Sequence, residues 1–169
     1  MVQKSQYSSP LGRILLAGDE TALTGLWFAG ARYAGQGLPP DAPEGRTGPI
    51  LQAEKWLDIY FSGGIPDFLP PLAPAGTPFR QSVWTLLRQI PRGSTVSYGE
   101  LARTLGGVSP RAVGGAVGHN PISILIPCHR VVGSHGSLTG YAGGLARKQW
   151  LLQLEKGEAP VLSGSLPEI

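Results

Sequence analysis

Apolar positions along this chain come in short runs separated by Gly and Pro, and the runs change period from two to about 3.6 along the sequence. Ser9-Pro10-Leu11-Gly12 reads as a turn. The apolar run from Ile14 to Ala17 predicts a strand, with a hairpin partner at Leu23 to Phe28 joined through Gly18-Asp19-Glu20. Ala29 to Gly48 carries Gly, Pro and charge with no periodicity and predicts a long exposed loop. Helical spacing begins near Leu51 and runs to Phe61, with Leu51, Trp56 or Leu57, Tyr60 and Phe61 as its apolar face, stopped by Gly63-Gly64.

A proline-rich linker from Pro66 to Gly76 separates this small α/β unit from a second, mainly helical one. There Thr77-Pro78 supplies an N-cap and a proline at N1 for a helix through Phe79, Val83, Leu86, Leu87 and Ile90, ended by Pro91-Arg92-Gly93. Ser97 and Glu100 fit a capping box opening a short helix to Leu105. Gly106-Gly107-Val108 is a turn, and Ser109-Pro110 starts another helix over Arg111 to about Val117. Two short helices about a glycine turn match a helix-turn-helix. The second helix is bare: Ala112, Gly114, Gly115 and Ala116 offer no long polar side chain. Glycines there cost about 1 kcal/mol each against Ala, which makes sense if a backbone must approach closely. Core packing and sequence-independent DNA contact both satisfy that requirement; the second is preferred. Ile122 to Ile126 predicts a short buried strand, stopped by Pro127, so that Cys128 would sit at a strand end facing a cleft. A loop from Gly133 to Gly140 precedes Tyr141-Ala142-Gly143-Gly144. The last helix, Leu145 to Lys156, takes most of its apolar cover from Leu145, Leu151, Leu152 and Leu154, and the tail beyond Gly157 is expected to fray. The pattern divides the chain into 1–76, 77–157 and a tail at 158–169.

Composition sharpens this picture at two points. The net charge of +3 is unevenly spread: residues 1–79 are net −2 and residues 80–156 are net +7, which points to a polyanionic partner for the second unit. One cysteine in 169 residues leaves no internal disulfide and no multi-cysteine metal site. No apolar run reaches bilayer length and Met1 to Pro10 is polar, so no membrane is expected as a partner and the cytoplasm, or the nucleoid of a prokaryote, is the expected location.

The candidate chemistry lies at Cys128. A lone free cysteine is ordinarily a small buried hydrophobe; here His129 and Arg130 follow it directly and can favour a thiolate. Glu155 stands in the last turn of its helix, unfavourable against the dipole, so it needs a partner in the interior. Adjacent side chains diverge, so His129 is not expected to touch Cys128 directly and a water is the natural bridge. A cysteine hydrolase, a non-enzymatic damage sensor and a sequence-specific DNA reader remain open on these residues alone.

Ser97-Tyr98, Arg111 to Ala116, Asn120-Pro121, Ile126 to Val131 and Tyr141 to Gly144 together resemble the O6-alkylguanine-DNA alkyltransferases, strongly over Thr77 to Gly157 and weakly before it. The resemblance implies a ribonuclease H-like α/β domain followed by a winged helix-turn-helix domain. It implies a monomer that binds duplex DNA through the minor groove, flips out an alkylated guanine and takes its O6 alkyl group irreversibly onto Cys128, without cofactor or metal. Arg111 would fill the vacated stack, while Ala112, Gly114 and Gly115 lie on the groove. Tyr98 would rotate the phosphate and protonate the leaving guanine. Asn120 would brace the turn, and His129 and Glu155 would activate the thiol. Cys128, Val131 and Ala142 would read the base through their backbones, and Tyr141 would line the alkyl pocket. Ala142 replaces a serine found in some members, which bears on alkyl preference. The zinc site of animal members would be absent. Alkyl size range, O4-alkylthymine repair and cooperativity on DNA stay open.

Overall fold

The computed structural model describes residues 1–162. An antiparallel sheet in the order β1-β2-β3 is formed by β1 (Gln3–Ser9), β2 (Gly12–Gly18) and β3 (Leu23–Phe28). The predicted hairpin is β2–β3. β1 was not anticipated, because Gln-Lys-Ser-Gln-Tyr-Ser-Ser has no apolar alternation; it buries only Ser5 and is held by pairing with β2 from Gln3↔Gly18 to Ser9↔Gly12. α1 (Gly48–Phe61) starts at a Thr47 cap with Pro49 in its first turn, and it covers the sheet with Ile50, Ala53, Leu57 and Tyr60. Leu51, expected on that face, is 46% exposed.

In the second unit, α2 (Pro78–Leu87) is capped by Thr77 as expected and ends before Ile90. Ser97 caps α3 (Tyr98–Thr104), its hydroxyl accepting from the Glu100 amide, and Ser109 caps α4 (Pro110–Gly118) in the same way. The α3–α4 turn places Gly106 and Gly107 at φ of +88° and +87°, where a side chain would be strained. Two residues of β4 (Val96–Ser97) pair in parallel with β5 (Val131–Val132) and anchor the stretch after the cysteine. α5 (Leu145–Glu155) is the last helix among the described residues. It buries Trp150, Leu151, Leu152 and Leu154, whereas Leu145, expected to cover the core, is 48% exposed. The tail expected at 158–169 lies largely outside the described residues.

Ile122 to Ile126 is buried as expected but is not a strand. Ile122 alone bridges β3, at Leu26, and Ile124 takes φ +70°. The reason is local. The Asn120 side chain donates to the carbonyls of Ile122 (3.2 Å) and Ile126 (2.8 Å) and accepts from the Ile122 amide (3.0 Å), supplying the hydrogen bonds that a neighbouring strand would otherwise provide.

The edge of β3 joins the two units. Leu23 exchanges backbone bonds with the linker at Pro71 (2.8 Å) and Ala73 (2.9 Å), and Leu26 does the same with Pro121 and Ser123 (both 2.8 Å). The linker and the pre-cysteine segment thus share one strand edge. One hydrophobic core runs continuously from the sheet through Trp84 to Leu154.

Candidate active site

Cys128 opens a single 3-10 turn, Cys128–Arg130, and its amide donates to the Ile126 carbonyl at 2.7 Å. The thiol was expected to face a cleft from a strand end; instead the residue is 4% exposed, because the segment before it turns rather than extends and Cys128 packs within the hydrophobic core. Burial pushes the thiol pKa up, while the Asn120 amide, the Lys148 ammonium and the Tyr141 hydroxyl pull it down. Left to itself the group is a protonated thiol that needs a base.

His129, completely buried, places Nε2 2.6 Å from Glu155 Oε2. Arg130 donates to Glu155 through Nε (2.8 Å) and Nη2 (3.0 Å) and to the Ile90 carbonyl through Nη1 (2.7 Å), and the Tyr60 hydroxyl donates to Glu155 Oε2 at 2.6 Å. Burial alone would raise the Glu155 pKa, but the His129 and Arg130 donors hold it well below the usual carboxylate range. An ionised carboxylate only accepts, so His129 Nε2 must carry the proton. That leaves Nδ1 as a lone pair, buried and with no protein hydrogen-bond partner. Burial also keeps the imidazole below its ordinary pKa, against the pull of Glu155, so it is neutral and available as a base near neutrality.

A cleft of about 760 Å³ is lined by Arg111, Gly114 and Gly115 of α4, by Thr139 to Ala142 and by Tyr98. Cys128 and His129 do not line it, but Cys128 acts electrostatically on Tyr98 and Tyr141, both in its wall. Burial raises the Tyr98 pKa and the neighbouring Cys128 adds to the rise, so the phenol stays a proton donor. Its hydroxyl lies 3.3 Å from the Gly140 carbonyl, and Lys148 Nζ donates to Thr139 O (2.9 Å) and Gly140 O (3.3 Å). Burial brings Lys148 down to about 8. The first unit supplies Arg32 and Tyr33 to the same cleft. Tyr33 stacks on His119 at 3.9 Å, and the Arg32 amide donates to the Ala142 carbonyl at 3.3 Å.

Residues 2–74 match the family 6-O-methylguanine DNA methyltransferase, ribonuclease-like domain, and residues 78–157 match 6-O-methylguanine DNA methyltransferase, DNA binding domain. The chain belongs to the 6-O-methylguanine DNA methyltransferase family. The methylated-DNA–protein-cysteine methyltransferase of Methanosarcina acetivorans is 45% identical over 150 residues, covering 88% of this chain and 95% of the relative. That of Mycobacterium tuberculosis is 44% identical over 163 residues, covering 95% and 96%. Among solved structures, Mycobacterium tuberculosis OGT in complex with DNA superposes with a TM-score of 0.82 at 42% identity, covering 94% of this chain and 95% of that one. The O6-methylguanine DNA methyltransferase of Methanococcus jannaschii gives 0.63 at 27% identity, covering 98% and 99%.

Within this methyltransferase fold, Cys128, His129, Glu155 and Asn120 are buried in the interior, and Tyr98, Arg111, Gly114, Gly115, Tyr141 and Ala142 line the cleft. Ala112 is exposed on α4 and Val131 is fully buried in β5; neither lines the cleft. The residue patterns did not point to Lys148, Tyr60, Arg32 or Tyr33. Lys148 was legible in part, since it lies seven positions before Glu155 and so on the same helical face. Tyr60 carried no such signal, being 95 positions from its partner.

Proposed function

We propose that this protein performs direct-reversal DNA repair, transferring the alkyl group from O6 of alkylated guanine in DNA to Cys128 Sγ, once per molecule. The observation that carries this reading is the lone buried cysteine followed directly by a buried His129 whose Nε2 lies 2.6 Å from Glu155, with Tyr98 and Tyr141, which both interact with the thiol, lining an open cleft. The thiol proton passes through a water to His129 Nδ1, and Glu155 stabilises the imidazolium. Sulfur then forms a bond to the alkyl carbon as the carbon–O6 bond breaks. Its electron pair stays on guanine, which takes a proton from the Tyr98 hydroxyl. The product is a thioether, and one alkyl group consumes one protein. Moving an alkyl group from oxygen to sulfur changes no oxidation state and calls for no organic cofactor.

The target oxygen is shielded inside a duplex, so the base must leave the stack, at a cost of a few kcal/mol. Arg111 is assigned to the vacated space, and the exposed, side-chain-poor surface of α4 at Ala112, Gly114 and Gly115 to the minor groove. Tyr141 borders the alkyl group. Backbone groups of Cys128, Val131 and Ala142 read the base edge. The protein acts as a monomer in the cytoplasm, or on the nucleoid of a prokaryote.

Incubation with a duplex carrying O6-methylguanine is expected to add the mass of one methyl group per protein, located at Cys128 by peptide mass spectrometry, with none added to Cys128→Ala. Repeated turnover would mean a hydrolase-like reaction, and tight binding without loss of the methyl group would mean a damage sensor. Either result refutes the proposal.

A further inference from the structure

Glu155 is held from both halves of the chain. Arg130 and His129 reach it from the segment after Cys128, but Tyr60 comes from α1, beyond the linker, and puts its hydroxyl 2.6 Å from the same Oε2 that takes the His129 proton, also at 2.6 Å. We infer that Tyr60 is a positioning residue for alkyl transfer, through which the N-terminal domain sets the proton affinity of His129. The inference rests on the relay assigned above.

Tyr60 is 1% exposed and its ring is fixed on several sides. Trp56 stacks on it at 5.0 Å, Phe61 meets it edge-on at 5.5 Å, and the Arg92 guanidinium lies 5.3 Å from its centroid while donating to the carbonyls of Gly64 and Gly63. Burial keeps the phenol well above its ordinary pKa, so it donates and does not ionise. Glu155 Oε2 then accepts from Tyr60, His129 and Arg130 Nη2 together. Each donor withdraws charge from that oxygen, and the charge left on it decides how strongly an imidazolium is favoured at His129. The other charged groups acting on His129 are Arg130 and Lys148, both opposing its protonation, and those acting on Tyr60 are Arg130 and Arg92. The hydrogen bonds of Arg130, Lys148 and Arg92 go to Glu155 or to backbone carbonyls and not to the Tyr60 hydroxyl. A tyrosine serving only to tie the domains together would alter stability without moving the titration of His129.

The test is the single-turnover methyl-transfer rate on an O6-methylguanine duplex across a pH series, for wild type, Tyr60→Phe and 3-fluorotyrosine at position 60. Removing the hydroxyl leaves more charge on Glu155, raises the His129 pKa and moves the acid limb of the profile upward by about half to one pH unit. The fluorinated phenol, a stronger donor of nearly the same shape, moves it downward. Duplex affinity stays within about twofold, because Tyr60 is buried away from the cleft. His129→Gln assigns the limb. A limb that belongs to His129 yet coincides in all three proteins overturns the inference alone. A wild-type limb that survives His129→Gln overturns the relay, and the inference with it. Wild type that accepts no methyl group overturns the reaction itself.

Discussion

Cys128 and Lys148 form a pair that neither residue type announces. The cation is fully buried, donates to the carbonyls of Thr139 and Gly140, and lowers the thiol pKa against the effect of burial. Because burial brings Lys148 itself down to about 8, its help to the thiolate fades as pH rises past that value. Replacing Lys148 with Met should therefore raise the thiol pKa, cutting the thiolate fraction near pH 7.5 by about three- to tenfold. Ultraviolet thiolate titration with Cys128→Ser as the blank measures this directly, and an unmoved titration would show the cation to be irrelevant. The sign for stability is opposite for the two groups. A lysine with a depressed folded pKa makes stability rise as pH climbs from about 8 to its ordinary value. A thiol with a raised folded pKa makes stability fall as pH climbs above the ordinary thiol value.

Helix α4 shows how an element can be built against its own propensity. Val113, Ala116 and Val117 bury one side, and Trp84 Nε1 fastens the Ala116 carbonyl at 2.8 Å. The outer side keeps Gly115, where an added Cβ would meet nothing within 4 Å. The core therefore does not require that glycine, which removes packing as its reason. Gly115→Ala is predicted to stabilise the protein by up to about 1 kcal/mol in chemical denaturation, while weakening duplex binding in a fluorescence titration. Tighter or unchanged binding would assign the groove to another surface. The segment 122–126 makes the complementary point. Its apolar, β-branched composition matches a strand, yet Asn120 takes its hydrogen bonds and the chain turns. Strand composition records burial, and pairing depends on which donors lie nearby.

Across the whole molecule, the two units share buried polar links as well as apolar contact. Arg147 of α5 is fully buried, donates through Nε to Leu11 O at 2.9 Å and through Nη1 to Gly143 O at 3.0 Å, and lies 4.7 Å from the Phe28 ring centroid. It therefore clamps the β1–β2 turn to the loop that borders the cleft. Arg147→Leu would leave both carbonyls unsatisfied and part of the site unfilled, a loss of about 2–4 kcal/mol in urea unfolding. A variant with wild-type stability would show that the apolar core alone holds the units together.

Residues close together in sequence sufficed for what is local along the chain: the hairpin, the capped starts of α2, α3 and α4, and the glycine turn between α3 and α4. Caps and turns are decided by residues a few positions apart, so they can be read directly, whereas which helical positions face the core is not, as exposed Leu51 and Leu145 show. The out-of-place Glu155 was legible for the same reason, since an acid in a last helical turn needs a partner. The tertiary structure decided which partners it has, that Cys128 is buried and its thiol in need of a base, that polar β1 pairs as an edge strand, and that Tyr60, Lys148 and Arg147 reach the site. These features rest on contacts across tens of residues, and a side chain's protonation follows from its burial and the charges folding brings beside it. Sequence spacing names the groups that can react; the fold sets which of them hold the proton.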